Sequence, residues 1–344
     1  MTMTEKENFM RVVNGQEPAW VPRRSLIQFA DVDPEQHKSA CVAARAMVFP
    51  PQPVPGGGFI DVFGVEFEPV DSIGGQVIPV PNKFILDDIT KWRDVIKAPS
   101  LDGIDWKSIA DKALEPIDRH ESAVMMGTHV GYFQHLMNFM GFTEGLCAMH
   151  EEPEEVLALY DYLANYYEAI AKNLIVHLKP DVYGITDDTA TARSPFISVD
   201  MYRRLVKPYH ARLAKVASDL GIPINMHNCG RCEDAIEDWR DFGVTLWDPA
   251  QTMNDLPAIK KKYGNSLVLS GCWDNSGPAS WPGSSEELVR QAVRDCIDAY
   301  APGGGFCFWA SHYGAIGDEH ARTHAFWITD EYNKYGRTFY QRQG

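Results

Sequence analysis

Short apolar runs alternate with longer amphipathic segments along most of this chain. The apolar runs have the length and the residue types of buried strands, and they predict strands at residues 25–29, 122–126, 181–186, 222–226, 244–247, 266–270 and 305–310. The amphipathic segments predict helices at residues 4–13, up to 142, and at 154–177, 200–220, 233–239, 255–262, 285–300 and from about 318. Such an alternation is typical of a parallel sheet covered by helices.

The absence of a nucleotide-binding motif narrows the fold class. No GxGxxG or Walker motif follows any predicted strand, which favours a (β/α)8 TIM barrel over a nucleotide-binding sheet. We predict one α/β domain over residues 1–344. Residues 1 to about 100 are expected to be an N-terminal elaboration with a hairpin or irregular excursion near 59–67, and residues 101–344 the regular barrel. The active site is expected where residues follow the carboxyl ends of the strands.

Composition and charge exclude several classes of function. The 344 residues are 45% hydrophobic, enough for a sizeable core, and the formal net charge of −15 argues against non-specific binding to nucleic acid or to an anionic membrane. No apolar stretch reaches the length of a transmembrane helix, and the first residues lack the pattern of a secretory signal. Seven scattered cysteines indicate a reducing, cytoplasmic setting with free or metal-bound thiols.

A metal site is suggested by the residues that follow the predicted strand at 222–226. His227 and Cys229 offer an imidazole and a thiolate, which suit Zn²⁺, and further ligands would complete a site with one open position. An ordinary loop is an alternative, and so is a redox pair, because Cys229 and Cys232 form a CxxC. No second CxxC follows, which argues against a structural zinc ribbon.

Further ligands are expected from neighbouring strand ends. Asp248, Cys272 and His312 follow later predicted strands and are the candidates. Cys307 is interpreted as a buried core thiol, because it lies within the last predicted strand and its odd offset from His312 puts the two on opposite faces.

Two adjacent carboxylates and several aromatic side chains are also expected at the carboxyl ends of the predicted strands. Asp187 and Asp188 follow the strand at 181–186, where close carboxylates resist joint ionisation, so either is a candidate general acid or substrate ligand; an N-cap or a partner for Arg193 is the structural alternative. A pocket for a flat or apolar substrate is predicted from the rings near these loops, and the substrate-binding candidates are Trp273, Tyr132, His129 and Tyr313.

The chain resembles the uroporphyrinogen decarboxylase superfamily over nearly its whole length. The resemblance is carried by residues 14–22, 187–198 with Tyr202 and 207–208, 227–230, 243–251 and 301–305. The Arg-Gln-Ala-Gly-Arg stretch with which true decarboxylases bind substrate carboxylates is missing; the chain instead reads Val-Pro-Arg-Arg-Ser at 21–25. The other branch comprises zinc-dependent methyltransferases that act with a corrinoid protein, and His227-Asn-Cys229 matches their His-x-Cys signature.

The resemblance implies a barrel enzyme that moves a methyl group from a small methylated substrate to the corrinoid cobalt of a partner protein. Zn²⁺ is the implied cofactor, and an aryl methyl ether is the first guess for the substrate. The distant third ligand of the signature falls on His312 by local pattern or on Cys307 by spacing. Two alternatives remain: a metal-free decarboxylase that uses Arg23, Arg24 and Arg193, and a non-enzymatic barrel that binds a tetrapyrrole or docks a corrinoid protein.

Overall fold

A curved parallel sheet forms the centre of the protein. The computed structural model describes residues 3–24, 38–71, 76–128, 131–310 and 318–342. Seven strands pair in parallel in this order: β1 (Cys41–Ala44), β6 (Ala123–Thr128), β7 (Val182–Thr186), β8 (Ile224–His227), β9 (Val244–Ala250), β10 (Val268–Cys272) and β11 (Phe306–Trp309). The strands predicted from residue 122 onward are confirmed, with ends shifted by a few residues.

Residues 22–24 connect the two edges of this sheet. The Arg24 N–H donates to the carbonyl of Phe308 in β11, and the Arg23 carbonyl accepts from the N–H of Ala40, directly before β1. These seven parallel strands confirm part of the predicted barrel. The strand predicted at 25–29 lies outside the described residues, so closure by eight strands stays a prediction. Because β1 pairs with β6, the parallel sheet begins well before residue 101, where the regular pattern was predicted to start.

A small antiparallel sheet is formed by residues that lie between β1 and β6 in the sequence. Its four strands are β2 (Gln52–Pro53), β3 (Phe59–Ile60), β4 (Glu66–Val70) and β5 (Gln76–Pro79). Pairing of β3 with β4 confirms the hairpin predicted near residues 59–67.

Helices cover the outer face of the parallel sheet and close one end of it. Those in the described residues are α1 (Glu5–Val13), α2 (Trp92–Val95), α3 (Trp106–Leu114), α4 (Tyr132–Met140), α5 (Phe142–Glu151), α6 (Pro153–Leu178), α7 (Val199–Met201), α8 (Lys207–Ser218), α9 (Ile236–Asp241), α10 (Leu256–Tyr263), α11 (Glu286–Tyr300) and α12 (Glu319–Tyr335). A π-helical turn at Tyr202–Val206 joins α7 to α8. Over the ranges that the structure describes, every helix is too short or too polar to span a bilayer.

Two hydrophobic clusters fix the orientation of the strands. The inner cluster holds inward-facing strand residues, including Val182, Leu246 and Val268, and α1 packs against them through Phe9 and Val12. Cys307 lies in this cluster, which confirms the prediction that it is a buried core thiol. Burial raises the pKa of this thiol to about 12. The larger cluster fills the space between the sheet and the outer helices. Apolar side chains therefore fill one end of the space that the curved sheet encloses, and polar side chains lie at the carboxyl ends of the strands.

Candidate metal centre

Strand register brings three of the predicted site segments side by side. Thr186 pairs with His227 across β7 and β8, and His227 pairs with Asp248 across β8 and β9. Asp187 and Asp188 directly follow β7, and the Asp187 N–H donates to the carbonyl of His227 (3.1 Å). Because parallel strands present their carboxyl ends at one edge, these residues share one end of the sheet.

A group of three potential metal ligands lies at this edge. The ligand atoms of Asp188, His227 and Cys229 all lie within 4.8 Å of one another. His227 Nε2 is 3.7 Å from Cys229 Sγ. Tetrahedral zinc with ordinary Zn–N and Zn–S bonds would separate such atoms by about 3.6 Å. The carboxylate, imidazole and thiol therefore fit a zinc ion with three protein ligands and one open position.

Asp248 orients the imidazole from the opposite side. Its Oδ2 lies 3.4 Å from His227 Nδ1 and 2.9 Å from Arg24 Nη1, and Asn225 Nδ2 donates to its Oδ1. A carboxylate at one ring nitrogen leaves the other nitrogen to face Cys229 and Asp188, an arrangement that metal-binding histidines commonly show. Asp248 was predicted as a ligand, but the structure brings it to the far side of the ring.

The charged groups around His227 shift the pKa values of one another. Burial by itself would raise the pKa of Asp248, but Arg24 and His227 hold it well below its ordinary value. Burial would likewise lower the pKa of His227, whereas Asp248 and Cys229 together raise it well above its ordinary value. Burial raises the pKa of the Cys229 thiol. A metal ion at this site would have to displace protons from His227 and Cys229, so its binding would depend on pH.

Asp188 and Cys229 are held together by backbone and side-chain contacts. The Cys229 N–H donates to Asp188 Oδ1 (2.8 Å), and Gln134 Nε2 donates to Asp188 Oδ2 (3.3 Å). The next residue, Gly230, has φ +92°, and a Cβ atom there would lie 2.6 Å from the carbonyl oxygens of Ala190 and Thr191. Only glycine permits this close approach between the loops that follow β7 and β8.

Asp187 has a different environment from its neighbour. It is fully buried, and it accepts hydrogen bonds from the N–H groups of Phe133 and Gln134 in the first turn of α4 (3.0 and 3.1 Å). It also accepts one from His210 Nε2 (2.9 Å). The buried carboxylate of Asp187 caps α4. Asp188, the other candidate general acid or substrate ligand, faces the imidazole and the thiol.

The remaining cysteine candidates lie elsewhere. Cys272 ends β10 with φ +59°, which breaks the alternation of the strand, and it belongs to the outer hydrophobic cluster. The structure does not bring it to the group at Asp188. Cys229 and Cys232 are free thiols, and Cys232 is buried with its Sγ 3.5 Å from the Asn228 carbonyl oxygen.

The predicted substrate-binding residues divide into three sets. Trp273 lines a shallow cleft together with Trp309, Cys272, Gln251 and the neighbouring Pro249, Ala250, Gly271 and Asn275. Tyr132 is fully buried in the core among Tyr160, Tyr209 and His210, so it does not line that cleft. His129, Tyr313 and the proposed ligand His312 lie outside the described residues.

The cleft adjoins the ligand group through shared contacts. Gln251 Oε1 accepts from the N–H of Gly230 (2.6 Å), next to Cys229. The Arg24 guanidinium lies 5.7 Å from the ring centre of Trp309 and pairs with Asp248. Sequence reasoning did not place Asp188 in the candidate ligand group, and it did not foresee the contacts of Arg24 with Asp248 and of His210 with Asp187. Their adjacency arises from segments far apart in the chain, and no local motif signals it.

Comparison with known proteins agrees with the resemblance in the sequence. The solved structure of a methyltransferase from Methanosarcina mazei has the same fold, with a TM-score of 0.64, 15% identity, and coverage of 96% of this chain and 100% of that chain. No curated protein matches the sequence. The uroporphyrinogen decarboxylase (URO-D) family model matches residues 61–326, which is about three quarters of the chain and includes Asp188, His227 and Cys229. The chain therefore belongs to the uroporphyrinogen decarboxylase (URO-D) family.

Proposed function

We propose that this protein is a zinc-dependent methyltransferase that passes a methyl group from a small methylated substrate to the cobalt of a corrinoid carried by a partner protein. The observation that carries the proposal is the group formed by Asp188, His227 and Cys229, with Asp248 on the second nitrogen of the imidazole. Family membership and the fold shared with a methyltransferase support it.

The residues at the strand ends have separate tasks in this proposal. Asp188, His227 and Cys229 hold the ion, and Asp248 keeps the imidazole in the tautomer whose Nε2 faces the other two ligands. Bound zinc supplies Lewis-acid chemistry, which stabilises negative charge on an oxygen that leaves. The open fourth position is where a substrate oxygen would be bound.

An aryl methyl ether remains the preferred substrate class. The adjoining cleft is lined by the indoles of Trp273 and Trp309, which suit a flat ring. In the transfer, the bond between the methyl carbon and the oxygen breaks and a bond from the carbon to cobalt forms. The cobalt supplies the electron pair, and the oxygen leaves with the pair of the broken bond. A phenol has a pKa of about 10, so this oxygen needs charge stabilisation to leave.

The metal-free decarboxylase has less support from these contacts. Arg24 is committed to a buried ion pair with Asp248, and Arg23 donates to Thr329 and lies over the ring of Tyr332. Both side chains are buried, and the ion pair of Arg24 with Asp248 disfavours the use of Arg24 on a substrate carboxylate.

Two single-residue variants test the proposal. We expect anaerobically purified wild-type protein to bind one zinc ion and to methylate free cob(I)alamin with methoxyphenol as donor. His227→Ala and Cys229→Ala should lose zinc and methyl transfer together. Cys147→Ala is the matched control, because this cysteine is exposed and lies in α5. Full methyl transfer in either ligand variant, or activity that survives a chelator with no metal bound, would refute the proposal.

A further inference from the structure

A continuous chain of buried hydrogen bonds runs from the outer layer to the carboxylate of Asp187. Trp239 Nε1 lies 3.1 Å from the hydroxyl of Tyr202, which lies 3.0 Å from His210 Nδ1. His210 Nε2 lies 2.9 Å from Asp187 Oδ2. None of these four side chains is more than 4% exposed. Asp187 and His210 are fully buried, so any effect of His210 on the metal centre acts through position.

One arrangement pairs all the buried polar groups of this series. An indole N–H only donates, so the Tyr202 oxygen accepts from Trp239. The hydroxyl hydrogen of Tyr202 then faces His210 Nδ1, and His210 Nε2 donates to Asp187. This arrangement gives every polar atom of the chain a partner, as buried groups require.

Asp187 transmits this restraint to the start of α4. Its two oxygens accept from the first-turn N–H groups of Phe133 and Gln134. The absence of a side chain at residue 131 permits this approach, because a Cβ atom there would lie 2.4 Å from Asp187 Oδ1. The carboxylate therefore fixes both the end of β7 and the beginning of α4.

Asp188 depends on both of these elements. Its backbone continues directly from Asp187, and one of its oxygens accepts from the side chain of Gln134, which lies in the turn that Asp187 caps. Its other oxygen accepts from the N–H of Cys229. A shift of Asp187 would move Asp188 relative to His227 and Cys229.

We propose that His210 is a positioning residue of the metal centre, which holds Asp188 in place as a ligand through Asp187. This inference rests on the proposed zinc site and adds to it a residue with no contact to the ion. Loss of a supporting hydrogen bond typically lowers metal affinity by about 10- to 100-fold. We expect the lower end of that range, because His210 acts through one intervening residue.

Zinc affinity, measured by competition with a chromophoric chelator, tests the inference without an activity assay. His210→Phe removes the donor to Asp187 and should weaken zinc binding by about 10-fold. His210→Gln offers an amide N–H in its place and should restore most of the affinity. Tyr209→Phe is the matched control: Tyr209 is buried in the same region, but its hydroxyl donates to the carbonyl of Leu157 and makes no contact with Asp187. Its zinc affinity should equal that of the wild type.

Urea unfolding of the metal-free variants separates position from stability. If His210→Phe unfolds more readily but binds zinc with wild-type affinity, the inference is overturned and the proposed function stands. A wild-type protein that binds no zinc overturns both. Should His210→Phe fail to fold, Tyr202→Phe replaces it, because it removes the donor to Nδ1 and keeps the imidazole. We expect it to lose about 2- to 5-fold in zinc affinity, the lower part of the range for one neutral hydrogen bond, and an unchanged value would overturn the inference.

Discussion

Replacing Asp248 by asparagine separates two roles of its carboxylate. Oδ2 pairs with Arg24 Nη1 at 2.9 Å and faces His227 Nδ1 at 3.4 Å, while Oδ1 accepts from Asn225. An asparagine at this position would keep the shape of the side chain and remove its charge. The substitution therefore leaves Arg24 without a counter-ion and His227 without the carboxylate that fixes its tautomer.

The structure sets the size of both effects. The side chains of Arg24 and Asp248 are only 7% and 3% exposed, so removing one charge leaves the other buried and unpaired, which costs about 3–5 kcal/mol of unfolding free energy. Removing the carboxylate behind a metal-binding histidine lowers metal affinity by about 10- to 100-fold. We expect Asp248→Asn to lose stability and zinc affinity together.

A double variant distinguishes the two causes. Replacing Arg24 by Met in the Asp248→Asn background removes the unpaired charge and keeps much of the packing. Urea unfolding of the metal-free protein should then recover most of the lost free energy, because removing both partners of a buried pair is often close to neutral. Zinc affinity, measured by chelator competition, should stay low, because His227 still lacks the negative charge beside its Nδ1.

One result would refute this reasoning. If the Arg24→Met, Asp248→Asn protein binds zinc as tightly as the wild type, Asp248 serves only as the counter-ion of Arg24. The orientation of His227 would then have to come from its own strand and from Cys229.

Two further predictions concern the loop after β8 and the pH dependence of stability. Gly230→Ala places a methyl group 2.6 Å from two backbone oxygens at φ +92°, so we expect a loss of about 1–3 kcal/mol and weaker zinc binding; unchanged urea unfolding would contradict this. Burial lowers the pKa of His135 to about 4, against about 6.5 in an unfolded chain. The unfolded state binds more protons between these values, so stability should fall by about 2–3 kcal/mol as the pH drops from about 6.5 to about 4, and less in His135→Phe; equal pH profiles from urea unfolding would contradict this.

The periodicity of the sequence determined much of the architecture. Runs of four to seven residues between helical segments suffice to identify β6 to β11, because a strand buried on both faces is mostly apolar. β1 was missed, since its four residues Cys-Val-Ala-Ala are short and small and carry no distinctive pattern. The same logic located the strand ends, and with them His227 and Cys229 as the centre of the candidate site.

Only the tertiary structure decided which side chains face one another at those ends. Side-chain direction there depends on register and on local dihedral angles, as at Cys272, where φ +59° turns the residue out of the alternation that sequence reasoning assumed. Asp188 joins His227 and Cys229 because the loops after β7 and β8 meet at Gly230. Arg24 reaches Asp248 across more than two hundred residues of sequence, a contact that exists only because the curved sheet brings its edges together. Local sequence encodes the ends of strands, whereas the partners at those ends follow from how the strands are arranged around one another.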